Sequence, residues 1–261
     1  MTYSHILMAA AAAGVLAACS GEAPPSPALE APAAGMVEPA SVPADVWTAR
    51  GNEPGWTLTL DGTDLTFIHA YGELRHAAPQ PGAVPVEGGR RYSTEDGVLS
   101  VMVVDGVCLD DATGMPYPFS VTVQLDDTLV RGCGGETNAL LAGEWAVVSL
   151  NGEAVPAEAG VTLAFEPEAA PPPESPGAFV PGTGRVGGKA GCNNYGADYR
   201  IGGEGISIGD AFSTEMACEP DVMAREAAFF DTLRNVPAIS FEEDGALVLS
   251  DHQDRQIRAR R

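Results

Sequence analysis

Positive charge is scarce in this sequence. Fourteen Lys and Arg residues face 36 Asp and Glu for a net charge of −22, and residues 1–18 hold no Lys or Arg at all. A protein that binds polyanions needs the opposite balance, so nucleic acid is not an expected partner, nor is electrostatic adhesion to anionic phospholipid. A membrane-spanning apolar run is also missing: the leading apolar stretch, Ile6 to Ala18, has 13 residues, whereas a span takes about 20. Metal-ligand spacing is absent as well. There is no C-x-x-C, and none of His69, His76 and His252 has a second His or Cys within five residues, so neither a metal site nor a cofactor is expected. Helical periodicity is confined to one segment of the mature chain.

What is present starts with Leu16-Ala17-Ala18-Cys19, which closes the apolar stretch. Small residues before a cysteine form a lipobox, because the cleaving peptidase needs them and the thiol accepts the diacylglycerol. The reading is a lipoprotein signal peptide over 1–18, with Cys19 acylated and carrying palmitate. Ser20 is not the aspartate associated with inner-membrane retention, so an outer-membrane anchor facing the periplasm is expected. Residues 19–44 then turn to Pro and Ala, with prolines at 24, 25, 27, 32, 39 and 43. Such a segment cannot bury a core and reads as a semi-rigid stalk.

The other four cysteines fall as Cys108 and Cys133 in one half and Cys192 and Cys218 in the other. In an exported chain these read as two disulfides, each closing a short loop inside its own domain, with zinc ligation as the competing use. Residues 45–136 read as β throughout. Trp56–Leu60 alternates and turns at Asp61-Gly62 into Leu65–Ile68; Val98–Val104 turns at Asp105-Gly106 into Val107–Leu109; Tyr117–Leu125 turns at Asp126-Asp127 into Thr128–Val130. A small antiparallel barrel or sandwich follows. The second domain, 139–261, opens with the hairpin Trp145–Leu150 and Asn151-Gly152, continues with strands at Val161–Phe165 and Ile206–Ile208, and pairs Ile239–Phe241 with Leu247–Leu249. Asp221–Asn235 is its helix: Val222, Phe229, Leu233 and Val236 share a face, Pro220 suits the first turn, and Asp221 and Glu226 sit toward the positive end. The chain is therefore mainly β with an α+β second domain. Segment 166–182 is too proline-rich for a strand and reads as an exposed insertion.

Three patterns suggest chemistry. Gly205-Ile206-Ser207-Ile208-Gly209 matches G-x-S-x-G, but no helix follows to form a nucleophile elbow, so Ser207 reads as an outward strand serine. Gly182–Gly187 matches G-x-G-x-x-G without the strand-turn-helix context and reads as a glycine-rich strand. The acidic groups at 110–111, 126–127 and 242–244 read as solvated turns, and the tail arginines 255, 258, 260 and 261 as a solvated end. Asn193, Asn194 and Tyr195 are the candidate binding residues, with fixing of the local turn as their competing role.

The series GEWAVVSLNG at 143–152, GGKAGCNNYGADY at 187–199, FSTEMAC at 212–218, the helix bearing Met223, Glu226 and Phe229, and LVLSD at 247–251 resembles the META domain of the HslJ-like family. Glu219, where that family usually has proline, and the 166–182 segment depart from it. The motifs RGNEPGW at 50–56, CLDD at 108–111, Tyr117-Pro118 and GCG at 132–134 resemble an uncharacterised β domain of envelope lipoproteins. The resemblance implies a cracked barrel packed with one helix, an association with envelope stress response or secretion, and no settled enzymatic activity. The expectation is a non-catalytic binding or assembly module, held to the membrane by its lipid, with an envelope protein as partner. The alternative is a periplasmic inhibitor of a lysozyme-like enzyme. The oligomeric state is unknown from sequence.

Overall fold

The computed structural model describes residues 46–169 and 181–261. Cys19, the signal peptide and the stalk lie outside the described residues.

The first nine strands form one antiparallel sheet: β1 (Trp47–Asn52), β2 (Gly55–Leu60), β3 (Asp64–His69), β4 (Leu74–Pro79), β5 (Val84–Val86), β6 (Gly89–Ser93), β7 (Leu99–Leu109), β8 (Pro116–Leu125) and β9 (Thr128–Gly134). Their spatial order is β4-β3-β2-β1-β9-β8-β7-β6-β5, so the first strand pairs with the last and the sheet curls around Trp56, Leu58, Leu65, Phe67, Val101, Val103, Val121 and Val123, all buried. The β1–β9 junction needs glycine. A Cβ on Gly132 would lie 2.0 Å from the Arg50 carbonyl oxygen, and the Trp56 indole N–H donates to the Arg131 carbonyl across the same junction at 3.1 Å.

Two hairpins form where alternation and turn dipeptides place them, at Asp61-Gly62 and Asp126-Asp127. The Asp105-Gly106 hairpin does not form. β7 runs through it to Leu109, and the register against β8 shifts from Asp105↔Phe119 to Cys108↔Tyr117, which is a β-bulge. Gly106 takes φ 138° there, so the residue that suits a tight turn serves the bulge instead. The bulge bends the end of β7 toward β9. Strands on either side of a third normally lie about 9–10 Å apart, yet Cys108 on β7 and Cys133 on β9 are disulfide-bonded with Cα atoms 5.6 Å apart.

The second sheet follows a short helix, α1 (Thr137–Leu141): β10 (Gly143–Leu150), β11 (Glu153–Ala154), β12 (Thr162–Pro167), β13 (Gly182–Lys189), β14 (Asn194–Gly202), β15 (Gly205–Ile208), β16 (Phe212–Ser213), β17 (Ala238–Phe241), β18 (Leu247–Ser250) and β19 (Gln256–Arg260). The order is β15-β14-β13-β12-β10-β19-β18-β17, with β11 beside β10 and β16 beside β14. The two ends meet through one backbone bond, Ile206 N–H to the Pro237 carbonyl at 2.9 Å. A Cβ on Gly205, which has φ 153°, would stand 1.9 Å from that carbonyl. This is a barrel closed by a seam. Two curled β sheets and few helices make up the described chain.

The long helix, α2 (Pro220–Leu233), has proline in its first turn, Asp221 beside it, and its Arg234 cap N–H bonded to the Phe230 carbonyl. Phe229, Leu233 and, beyond the helix, Val236 enter the barrel core with Trp145, Leu163, Phe165, Tyr195, Leu247 and Ile257. Tyr117 and Cys133 of the first sheet, with Met115 just before β8, belong to that same apolar cluster. Two sequence expectations change here. β12 extends to Pro167, which pairs with Gly184, so the start of segment 166–182 is strand; Pro167 ends that strand, where a missing N–H costs least. Residues 170–180 lie outside the described residues. The tail is also structured, because Ile257 and Ala259 alternate into the core as part of β19, between β10 and β18.

Candidate functional site

The densest polar arrangement lies where the β13–β14 turn meets α2. Glu226 is 5% exposed and sits on the inner face of the helix. Its Oε2 accepts the backbone N–H groups of Cys192 at 3.1 Å and Asn193 at 2.7 Å, and its Oε1 accepts the Asn193 side-chain amide at 2.7 Å. A buried carboxylate is costly unless donors converge on it, and here three do. Sequence reading placed Glu226 with Asp221 as a charge toward the helix N-terminus. The structure corrects that: one turn further along, at i, i+3 and i+7 with Phe229 and Leu233, Glu226 points inward.

Asn193, 2% exposed, passes the network on to a loop. Its Oδ1 accepts from the Thr214 hydroxyl at 2.7 Å and the Met216 N–H at 2.7 Å, and its Nδ2 also donates to the Met216 carbonyl at 3.2 Å. Cys192 is bonded to Cys218 with Cα atoms 6.0 Å apart, so two consecutive residues hold one loop by a covalent and a polar tie. Tyr195 is buried, packs edge-on against Phe229 and Phe230, and donates its hydroxyl to the Thr162 carbonyl at 2.9 Å. Burial pushes its phenol pKa well above the ordinary value, so it remains a donor. Burial, followed by the charge of Glu168, raises Tyr199 to about 12, and its hydroxyl donates to Asn138 Oδ1 at 3.0 Å. Of the three candidate binding residues, Asn194 alone is exposed, its backbone accepting the Thr214 N–H at 3.0 Å.

The remaining candidates do not converge. Ser207 is exposed on β15, with no helix after it. Gly182–Gly187 lies within β13. Among the described residues no group of three or more His, Cys, Asp or Glu could hold a metal ion. Asp110 is not solvated, as a turn acid was expected to be: it is 7% exposed and accepts Asn52 Nδ2 at 3.0 Å, the Ala112 and Thr113 N–H groups, and the Thr113 hydroxyl. Burial pushes that carboxyl up, but these donors outweigh it and leave the pKa below the ordinary 3.8. The tail arginines are paired rather than free in solvent. Arg258 meets Glu242 at 2.5 Å and Asp244 at 3.0 Å, and Arg255 meets Asp251 at 2.6 Å and also Asp231. Arg260 pairs with Asp244, and Arg261 lies 4.2 Å over the Trp145 ring. The clue in the sequence was Gln256-Ile257-Arg258-Ala259-Arg260, which alternates apolar and polar residues as a half-buried strand does.

Residues 138–261 match the family model described as META domain. The C-terminal region is a META domain. The glutamate of α2, the Gly-Cys-Asn-Asn-Tyr turn and the Met-Ala-Cys loop are the parts of this META domain that its hydrogen bonds and disulfide join. META is not a known enzymatic family. An NMR structure of a protein from Burkholderia xenovorans is similar at 18% identity, over 48% of this chain and 85% of that chain, with a TM-score of 0.32. No curated protein matches the sequence.

Proposed function

We propose that this chain is a lipid-anchored protein of the bacterial envelope, attached to the outer membrane through Cys19 and facing the periplasm, which acts by binding a protein partner and not by catalysis. The observation that carries the reading is the use made of the polar residues. In the META domain, Glu226, Asn193 and Thr214 are joined in one network that fixes an exposed loop, and the chemistry-bearing side chains are occupied in holding a surface. The lipobox and the Pro-rich stalk support a tethered module, and the META family supports a role in envelope stress or secretion. Capture from crosslinked envelopes tests it. Recovery of a secretion or assembly component is the expected result, and hydrolytic turnover by the purified protein would contradict it.

A second reading, inhibition of a lysozyme-like enzyme, is favoured by the net charge of −22, which suits a basic target. Loss of activity of added lysozyme at stoichiometric protein would establish that reading; no effect would dismiss it.

A further inference from the structure

We infer that the groove between loop 209–219 and α2 docks a cationic protein segment that inserts an apolar side chain; this rests on the binding reading and gives it a site and a partner chemistry. The groove, of about 400 Å³, has Ile208, Ala211, Phe230 and Leu233 as its apolar lining and Asp210 and Arg234 as its charged members. Beside it the loop exposes Phe212 by 63% and Met216 by 52%.

These apolar side chains stand on a fixed support. β16 pairs with β14 through Tyr195↔Ser213 and Gly196↔Phe212, and the Phe212 ring lies so close over Gly196 that a Cβ there would be 2.5 Å from it. The Arg185 guanidinium sits 5.8 Å from the same ring. Asn193 holds both backbone groups of Met216, and Cys218 is bonded to Cys192. Every residue from 209 to 220 is nonetheless exposed. A loop tied at this many points while presenting apolar side chains loses little freedom on binding, which is how preorganisation raises affinity.

Charge selects the occupant. The loop's ionisable residues are Asp210, Glu215 and Glu219, Asp221 follows at once, and no Lys or Arg occurs from 209 to 224. Of the cations alongside, Arg185 is paired with Asp198 at 3.8 Å, and Arg234 stands at the helix end of the groove. Acids carried by the same loop as the apolar anchors, in a protein of net charge −22, steer and retain a basic segment and repel anionic lipid or nucleic acid.

The test titrates fluorescent Lys-Leu-Lys-Leu-Lys-Leu-Lys with the detergent-solubilised full chain, both bridges formed, reading anisotropy. Replacing the leucines by serine should weaken binding at least about tenfold, since the apolar insertion is lost, and replacing the lysines by glutamate should abolish it. The pair Phe212→Ser with Met216→Ser should weaken the original peptide by about tenfold or more, and Asp210→Lys should weaken it too. Leu129→Ser, at an exposed apolar residue of the first sheet, should change it less than about twofold. Equal binding by the Phe212/Met216 variant, or equal binding of the serine peptide, would overturn the site. Capture of an envelope partner that persists in that variant would overturn the site while leaving the binding reading standing.

Discussion

Replacing Glu226 by alanine removes the acceptor for three donors that the fold has buried: the amides of Cys192 and Asn193 and the Asn193 side chain. Hydrogen bonds to a charged group contribute about 1.5–3 kcal/mol each. Relief of the carboxylate's own desolvation offsets part of that sum, so the net destabilisation of the META domain should be about 3–5 kcal/mol. At about 1.4 kcal/mol per decade this is roughly a hundred- to several-thousandfold faster amide exchange in a domain that opens as a unit. Exchange measured by mass spectrometry on the oxidised full chain gives the readout, with peptides over 190–202 as reporter. Peptides from β1 and β2 serve as the internal reference. Glu226→Gln keeps the shape and an acceptor for the two backbone amides but turns a donor toward Asn193 Nδ2, so its effect should be graded, about 1–2 kcal/mol. Glu243→Ala, at an exposed acid, should fall within about 0.5 kcal/mol of wild type. Acceleration below about fivefold in Glu226→Ala would refute the argument that this carboxylate organises the turn.

The other expectations are briefer. Trp145→Ala should cost about 3–5 kcal/mol in urea unfolding, because the indole is 3% exposed, donates to the Leu141 carbonyl at 2.8 Å and supports Arg261; a loss under about 1 kcal/mol would place it outside the core. Asp110, whose native pKa lies below its ordinary 3.8, contributes stability that is present above that value and lost as pH falls through the lower native pKa. Asn52→Ala should remove part of this contribution, about 1–2 kcal/mol at neutral pH, and shrink the acid-side slope of stability; an unchanged slope counts against it. Ser207→Ala should leave stability within about 0.5 kcal/mol and every activity unchanged, and loss of labelling by a serine-directed probe in a folded variant would overturn the non-catalytic reading.

Much of the fold is legible from local rules. Asp61-Gly62 and Asn151-Gly152 punctuate alternating runs, and both hairpins are where those runs place them. Asp105-Gly106 obeys the same rule and misleads, since a glycine that tolerates positive φ serves a bulge as well as a turn, and only the pairing of β8 with the continuing strand decides between them. The Arg-rich end hides β19 because four arginines draw attention to charge, while the apolar members Ile257 and Ala259 are few. Glu226 and Asp110 are the harder cases. Nothing adjacent in sequence shows that a helix glutamate will face the backbone of residues 192–193, or that a turn aspartate will meet Asn52 from another strand. Composition and periodicity describe one segment at a time, whereas a buried carboxylate is tolerated only through donors brought in from distant segments. Asn193 stood out through its amide and its place beside Cys192, yet its partners Thr214 and Met216 emerge only once the loop has folded over it.

The central claim, a binding module held to the envelope by lipid, is met most directly by phase separation of wild type and Cys19→Ser produced in the same bacterial host. The account requires wild-type protein in the detergent phase, with an N-terminal peptide beginning at an acylated Cys19, and the Cys19→Ser chain without acyl mass in the aqueous phase. Both chains in the aqueous phase, with the same unmodified N-terminal peptide mass apart from the substitution, would contradict it.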